Sequence, residues 1–368
     1  MHSDGKLRKK RICVYAICKN EAAFAERWMR SMQEASGVYV LDTGSEDDTV
    51  ERLRRLGAHV AQEAIRPWRF DTARNRSLEL VPQDADLCVC TDLDEVFHPG
   101  WRTAMERALA GGAQRLRYRY TWSFQPDGSE GVVFWLDKAH ARHGYRWTHP
   151  VHEVLRADNA AEVIADADGV QLDHHPDPQK SRGQYLPLLE LAVAEAPDDD
   201  RNLHYLGREY LFHGRWKACE ETLLRHLACK NATWKDERCA SMRYLARAVR
   251  QQGRDAEALV WLLRACAEAP YLREPWMDTA RALLDAHEWS GALYFVQKAL
   301  TIRARSRSYL NEPDSWGAAP YDLAALAAYY LGAYALALEY GRQALALAPD
   351  DARLRENLSF YERATEKR

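Results

Sequence analysis

The sequence predicts an α/β unit followed by an all-α unit, and three observations carry this. Short apolar runs alternate with helical stretches as far as about residue 90, the rhythm of a parallel sheet with helices on its faces. From about residue 113 the pattern shifts to strand-like segments around turns. After about residue 180 strands vanish and a helical repeat begins.

The elements follow in order. "RICVYAIC" reads as a strand, and "AAFAERWMRSM" has helical spacing. "GVYVLD" is a strand, "DTVERLRRLG" a helix ending at a Gly, and "HVAQEA" a strand. "DTARNRSLELV" is helical and "DLCVCTD" is again a strand. Asp42 and Asp92 each follow an apolar strand directly. Ligands of such sheets bind at the carboxyl ends of the strands, so both aspartates are expected at one rim. "QRLRYRYTWSF" and "GVVFWLDKA" then alternate around the turn "QPDGSEG". With "HPVHEVL" and "GVQLDHH" they read as mixed strands and loops closing over that rim.

The second half aligns on a turn residue between two helices: Gly214, Gly253, His287 and Gly332, at spacings of 39, 34 and 45 residues. Ala or Cys recurs five residues after each turn. This resembles the tetratricopeptide repeat, and stacked repeats of that kind form a concave binding groove. Tyr205, Arg208, Tyr244 and Arg247 are expected on the groove side, while Trp276 and Tyr321 lead their units and pack between helices. "YLPLLELAVAEAPDDD" reads as a degenerate unit joining the halves. The expected domains are 1–178, a linking helix at 179–200, and repeats over 201–368.

Composition narrows the function. Apolar residues make up 47% and charged residues 29%, an ordinary globular mix, and the net charge of −3 argues against a general nucleic-acid binder. The basic run "KLRKKR" reads as a solvated tail. No signal peptide or membrane span is expected: "ICVYAIC" is too short, and Glu339 and Arg342 interrupt the Ala-rich stretch 323–348. The eight cysteines show no CxxC pair, and Cys88 and Cys90 read as core, so a reducing cytoplasm is expected.

The chemistry concentrates in "VCTDLDEVFHPG", where Asp92, Asp94 and Glu95 follow an apolar run. On a strand, residues i and i+2 point the same way, so Asp92 and Asp94 are expected to converge on one divalent cation. Such a cation stabilises a diphosphate leaving group. Asp42 precedes the cap region of its helix, so capping does not explain it. A carboxylate there suits a ribose hydroxyl or a base N–H.

"AICKNEAAFAERWMRSM", "VLDTGSEDDTVERLRRLGAHV", "FDTARNRSLEL", "DLDE" and "WTHPVHEVL" together resemble the family 2 inverting glycosyltransferases, over roughly residues 10–176. The resemblance implies a GT-A fold, a Rossmann-like mixed sheet, and transfer of a hexose from a UDP-sugar with Mg²⁺ or Mn²⁺. It implies that Asn20, Glu21, Asp42, Arg74, Asn75 and Asp92 bind the nucleotide sugar and that Asp94 binds the metal. A later His joins the metal in such enzymes, and His174 or His175 fits, with His174 preferred. Inverting transfer needs one base. Glu153 is expected in that role, with His152 as its competitor, since the commoner family motif there ends in Asp after an acidic residue. Lys138 and Arg142 are candidates to neutralise phosphate, with solvated strand charges as the preferred reading. The repeats joined to such a domain resemble bacterial peptide glycosyltransferases acting on Cys or Ser of bacteriocin precursors. A peptide or protein acceptor is therefore expected, with a lipid-linked or cell-surface glycan as the alternative acceptor. In that alternative the repeats serve homo-oligomerisation or complex assembly.

Overall fold

A computed structural model describes residues 9–125, 127–159, 161–177 and 183–366. The start of the basic run, the expected boundary at 178/179 and the first residues of the linking segment lie outside the described residues. The chain divides into two compact units, residues 1–192 and 193–368.

The first unit begins β1 (Ile12–Cys18), α1 (Ala22–Ser31), β2 (Gly37–Asp42), α2 (Thr49–Arg55), β3 (His59–Gln62), α3 (Phe70–Glu79) and β4 (Leu87–Cys90). It continues with β5 (Glu95–Phe97), α4 (Trp101–Leu109), β6 (Arg115–Thr121), β7 (Val133–His140), β8 (Tyr145–Thr148), β9 (Val154–Ala157) and β10 (Ile164–His174). Eight strands form one mixed sheet in the order β3-β2-β1-β4-β7-β6-β10-β5. β1 to β4 run parallel, and β7 is antiparallel to both β4 and β6.

The segments expected to close over the rim mostly extend the sheet instead. β6, β7 and β10 are sheet strands, and only β8 and β9 form a separate hairpin. The reason is burial: Leu116, Tyr118, Tyr120, Ala139 and Leu172 alternate into the same core as β1 and β4. Every residue of β1 is buried, which suits a central strand covered on both faces. Trp28 and Met29 of α1 and Trp101 and Met105 of α4 cover one face. Tyr15, Leu78, Trp147 and Leu155 make the core of the other.

The chain continues through α5 (Tyr185–Glu195). The helical unit contains α6 (Asp200–Phe212), α7 (Trp216–Ala228), α8 (Lys235–Arg250), α9 (Asp255–Glu268), α10 (Glu274–Asp285), α11 (Trp289–Thr301), α12 (Ala319–Tyr330), α13 (Tyr334–Leu347) and α14 (Ala352–Glu366). The four aligned turn residues share one conformation: φ is 67° at Gly214, 76° at Gly253, 61° at His287 and 74° at Gly332. After each, the next amide donates to the carbonyl five residues back, as in Arg215 to Tyr210 and Ala333 to Ala328, both at 2.9 Å. This closes each first helix with a left-handed cap, for which glycine is the least strained residue. Cys219, Ala258, Ala292 and Ala337, five residues on, are all buried where the second helix crosses the first. At Gly207 the approach is close enough that a Cβ would meet Leu223 at 2.3 Å.

The expected groove residues behave differently from the expectation. Tyr205 and Tyr244 are buried, and Arg247 is ion-paired to Asp278 and Glu312. Arg208 lies over the Tyr205 ring at 4.5 Å. The cause is the segment 302–318 between α11 and α12, which also accounts for the 45-residue spacing. It carries one short 3-10 turn, Pro313–Ser315, and lies across α6, α8 and α10. Tyr309 stacks on Tyr205, Glu312 meets Arg243, and Trp316 Nε1 donates to Glu274.

Candidate functional site

The carboxyl ends of β1, β2 and β4 meet at one rim of the sheet, and α3 brings a cation to it. Asp71, Arg74 and Leu78 of α3 are buried at i, i+3 and i+7, so Arg74 projects from the core-facing side of its helix. Its guanidinium donates to the Asp92 carboxylate at 2.8 Å, to Cys90 Sγ at 3.2 Å and, through Nε, to Glu153. The guanidinium also lies 5.5 Å from the Trp147 ring centre. Burial works against this charge, but Asp92, Cys90 and Glu153 outweigh it and hold Arg74 well above its ordinary value. One buried arginine thus ties the end of β4 to the loop before β9.

A second cation completes the cluster. Lys138 Nζ lies 3.6 Å from Asp92 and 3.8 Å from Glu95. Burial disfavours the ammonium, but Glu95 and Asp92 raise it above its ordinary value. The reading of Lys138 as a solvated strand charge is therefore corrected. The pairing of β6 with β7 shifts register between Leu116 and Tyr118, where three steps of β7 oppose two of β6. That bulge lies at Asp137–Lys138, and bulges re-aim side chains. Arg142 lies elsewhere, donating to the Val81 carbonyl at 3.0 Å.

Asp92 and Asp94 do not converge as strand neighbours. β4 ends at Cys90, and residues 91–94 turn, with Leu93 fully buried between the two aspartates. Asp92 faces Arg74 and Lys138. Asp94 faces His174, whose Nε2 lies 3.4 Å from its carboxylate. Glu95 has a holding role: it accepts from the Asp92 backbone N–H at 2.9 Å and from the Tyr120 hydroxyl at 2.8 Å. Burial pushes its carboxyl up, with Asp92 and Asp94 adding to the rise against Lys138.

The antiparallel register of β10 with β5 sets His174 opposite Glu95 and so beside Asp94. Its Nδ1 meets the Trp122 carbonyl at 2.9 Å and must be the donor, since a carbonyl only accepts. The Nε2 lone pair then faces a carboxylate, an arrangement stabilised by a proton or by a cation between them. Burial lowers the imidazole, but Asp94 and the Trp122 carbonyl leave it raised. His175 stacks on Phe124 at 5.3 Å instead. Among the described residues no group of three or more His, Cys, Asp or Glu is gathered as a metal cage. Asp94 and His174 are one oxygen and one nitrogen donor, and this set fits a cation that takes its remaining ligands from a substrate, Mn²⁺ better than the harder Mg²⁺.

Other expected residues turn out to be occupied by the fold. Asp42 is fully buried and closes the turn after β2: it accepts from the Gly44 and Ser45 amides at 3.2 and 3.1 Å and from the Ser45 hydroxyl. Asp42 lies before the cap of α2, which is Asp48, and its carboxylate is used by the loop turn instead. Asn75 uses both ends of its amide on the Trp147 backbone, donating at 2.9 Å and accepting at 2.8 Å, which fixes β8 rather than presenting a ligand group. Asn20, at φ 55°, accepts from the Glu46 amide at 2.7 Å, and the Glu21 amide donates to Thr49 at 2.8 Å. These two join the loops after β1 and β2 at the rim. In the loop before β9, His149 and His152 both have positive φ, 76° and 49°. Such strain is tolerated where surrounding structure fixes it. The His152 ring packs edge-on to Tyr185 at 5.8 Å, whereas Glu153 reaches Arg74.

Among the described residues no helix is long and apolar enough to cross a membrane. No protein-family model matches the chain. Solved structures match its C-terminal half. A MamA crystal structure is 17% identical with a TM-score of 0.37, covering 46% of this chain and 89% of that one. PilF of Pseudomonas aeruginosa is 16% identical with a TM-score of 0.37, covering 46% and 70%. A Podosopora anserina kinesin light chain with nearly identical TPR-like repeats is 22% identical with a TM-score of 0.36, covering 47% and 89%.

Proposed function

We propose that the α/β unit is an inverting glycosyltransferase that moves a hexose from a UDP-sugar to a polypeptide side chain. The observation that carries this reading is the pairing of two cations with three acids at one strand rim: Arg74 and Lys138 on Asp92, Glu95 and Glu153, with Asp94 and His174 alongside. A divalent cation held by Asp94 and His174 would neutralise the leaving diphosphate. Lys138, at the bulge, adds positive charge on the same side. Asp92, fixed by Arg74, orients a donor hydroxyl. Glu153 takes the proton of the attacking group and shares the Arg74 guanidinium with Asp92. His152 serves less well, because its ring packs against Tyr185. Asn20 and Glu21 frame the nucleotide side of the rim, and Asp42 supports that loop from beneath.

A second reading keeps the transferase and changes the acceptor to a lipid-linked or cell-surface glycan. The filled inner face of the helical unit favours it, since segment 302–318 lies where a peptide acceptor was expected. Calorimetry of the full chain with UDP tests the shared part. Binding in Mn²⁺ that is at least ~10-fold weaker in EDTA supports it. Equal affinity in both, or no binding of any nucleoside diphosphate, contradicts it.

A further inference from the structure

Segment 302–318 is chemically a ligand of the helices beneath it. Tyr309 stacks on Tyr205 of α6 at 6.0 Å, and its hydroxyl donates to Glu237 of α8 at 2.9 Å. Arg201 lies over both rings, 4.8 Å from Tyr205 and 5.9 Å from Tyr309, so the slot is built for an aromatic side chain. Three residues on, Glu312 meets Arg243 at 2.7 Å and Arg247 at 2.9 Å. Those two arginines also share Asp278 of α10. With Glu312 in place three guanidiniums, those of Arg243, Arg247 and Arg281, face two carboxylates. Without it they face one, and Arg243 is only 2% exposed. An emptied groove therefore demands another anionic side chain at that spot.

The segment also keeps its own shape. The Ser308 amide donates to the Ser306 hydroxyl, the Leu310 amide to the Ser308 hydroxyl, and the Asn311 amide group to the carbonyls of Ser306 and Ser308. These bonds hold its shape without the helices, while buried Leu310, the Ser306 hydroxyl on Asp236 and the Glu312 amide on Glu274 seat it on them.

We propose that residues 306–316 are an intramolecular ligand that occupies the inner groove of α6, α8 and α10 in place of a partner polypeptide. The partner it stands for carries an aromatic residue followed three positions later by a carboxylate. This does not depend on the chemistry proposed for the α/β unit. Tethering makes its binding intramolecular, so a partner must exceed that advantage to enter.

Hydrogen exchange on the full wild-type chain tests whether the segment opens by itself. The proposal requires its amides over 306–316 to exchange at least ~10²-fold faster than the interior amides of α8. Equal rates would make the segment part of the cooperative core and overturn the proposal. The second measurement uses a fluorescent peptide of residues 306–316 and the full chain carrying Tyr309→Ser with Glu312→Gln. The variant should bind this peptide at least ~10-fold tighter than wild type, and the peptide carrying Glu312→Gln should lose that gain. A variant that loses its helical fold, or that folds and does not bind the peptide, overturns the proposal.

Discussion

The Nε2 of His174 lies 3.4 Å from the Asp94 carboxylate, while the other ring nitrogen is fixed by the Trp122 carbonyl at 2.9 Å. Under the proposed function these two side chains would share a divalent cation. Mn²⁺ binding followed by electron paramagnetic resonance, with UDP present, should weaken at least ~10-fold in Asp94→Ala and in His174→Ala. His175→Ala should bind as wild type, because that ring packs on Phe124. Wild-type Mn²⁺ affinity in both of the first two variants would remove the pair as ligands.

Arg74→Met is expected to be severe. Arg74 is 4% exposed and holds two carboxylates, and removing one member of a buried ion pair costs roughly 3–5 kcal/mol. Thermal unfolding should show a large drop for the α/β unit, partly relieved by adding Asp92→Asn. A variant that melts like wild type would mean that the cluster is solvated and not the rigid anchor described above.

Glu153→Gln should reduce kcat by at least ~10² with nucleotide affinity near wild type. The contrast is with Asp42→Ala, which should lower the melting temperature by opening the Gly44–Ser45 turn, whose amides and hydroxyl lose their buried acceptor. Single-turnover rates beside UDP titrations separate the two. Normal turnover in Glu153→Gln together with a dead His152→Ala would transfer the base role to His152.

The sequence shows most of the frame and only part of the site. β1 to β4 and the helices between them were readable because their apolar periods are unbroken. The four turns of the helical unit were readable because one backbone conformation recurs at Gly214, Gly253, His287 and Gly332, even where the residue is His. Arg74 was singled out only through the family resemblance, as a nucleotide or diphosphate contact, and its pairing with Asp92 and Glu153 joins residues remote in sequence. Lys138 was not, because a bulge in β7 turns it inward, and a bulge leaves no mark in the alternation of one strand. The structural bonds of Asp42 and Asn75 were not legible for one reason. Their partners are backbone amides and carbonyls, which no residue type announces. Segment 302–318 showed in the sequence only as the longer 45-residue spacing, since its contacts with α6, α8 and α10 are remote in sequence.

Acid should weaken the helical unit through Asp278 and Glu312. Burial alone would raise both carboxyls, but Arg243 and Arg247 outweigh it and hold both below their ordinary range. Carboxyls depressed in this way contribute stability that is fully present above the ordinary carboxylate range and lost as pH falls through the depressed values. Melting temperature measured from pH 6 to pH 2 should therefore fall more steeply for wild type than for Glu312→Gln. Parallel curves would show that Glu312 carries no net linkage.

The central claim is that the rim of β1, β2 and β4 transfers a sugar from a nucleotide. Mass spectrometry of a panel of nucleotide sugars, incubated with the full chain and Mn²⁺, tests it most directly. The account predicts slow release of UDP from one UDP-hexose, suppressed by EDTA and by Asp94→Ala, with GDP-sugars untouched. No release from any donor, together with no UDP binding, would contradict it.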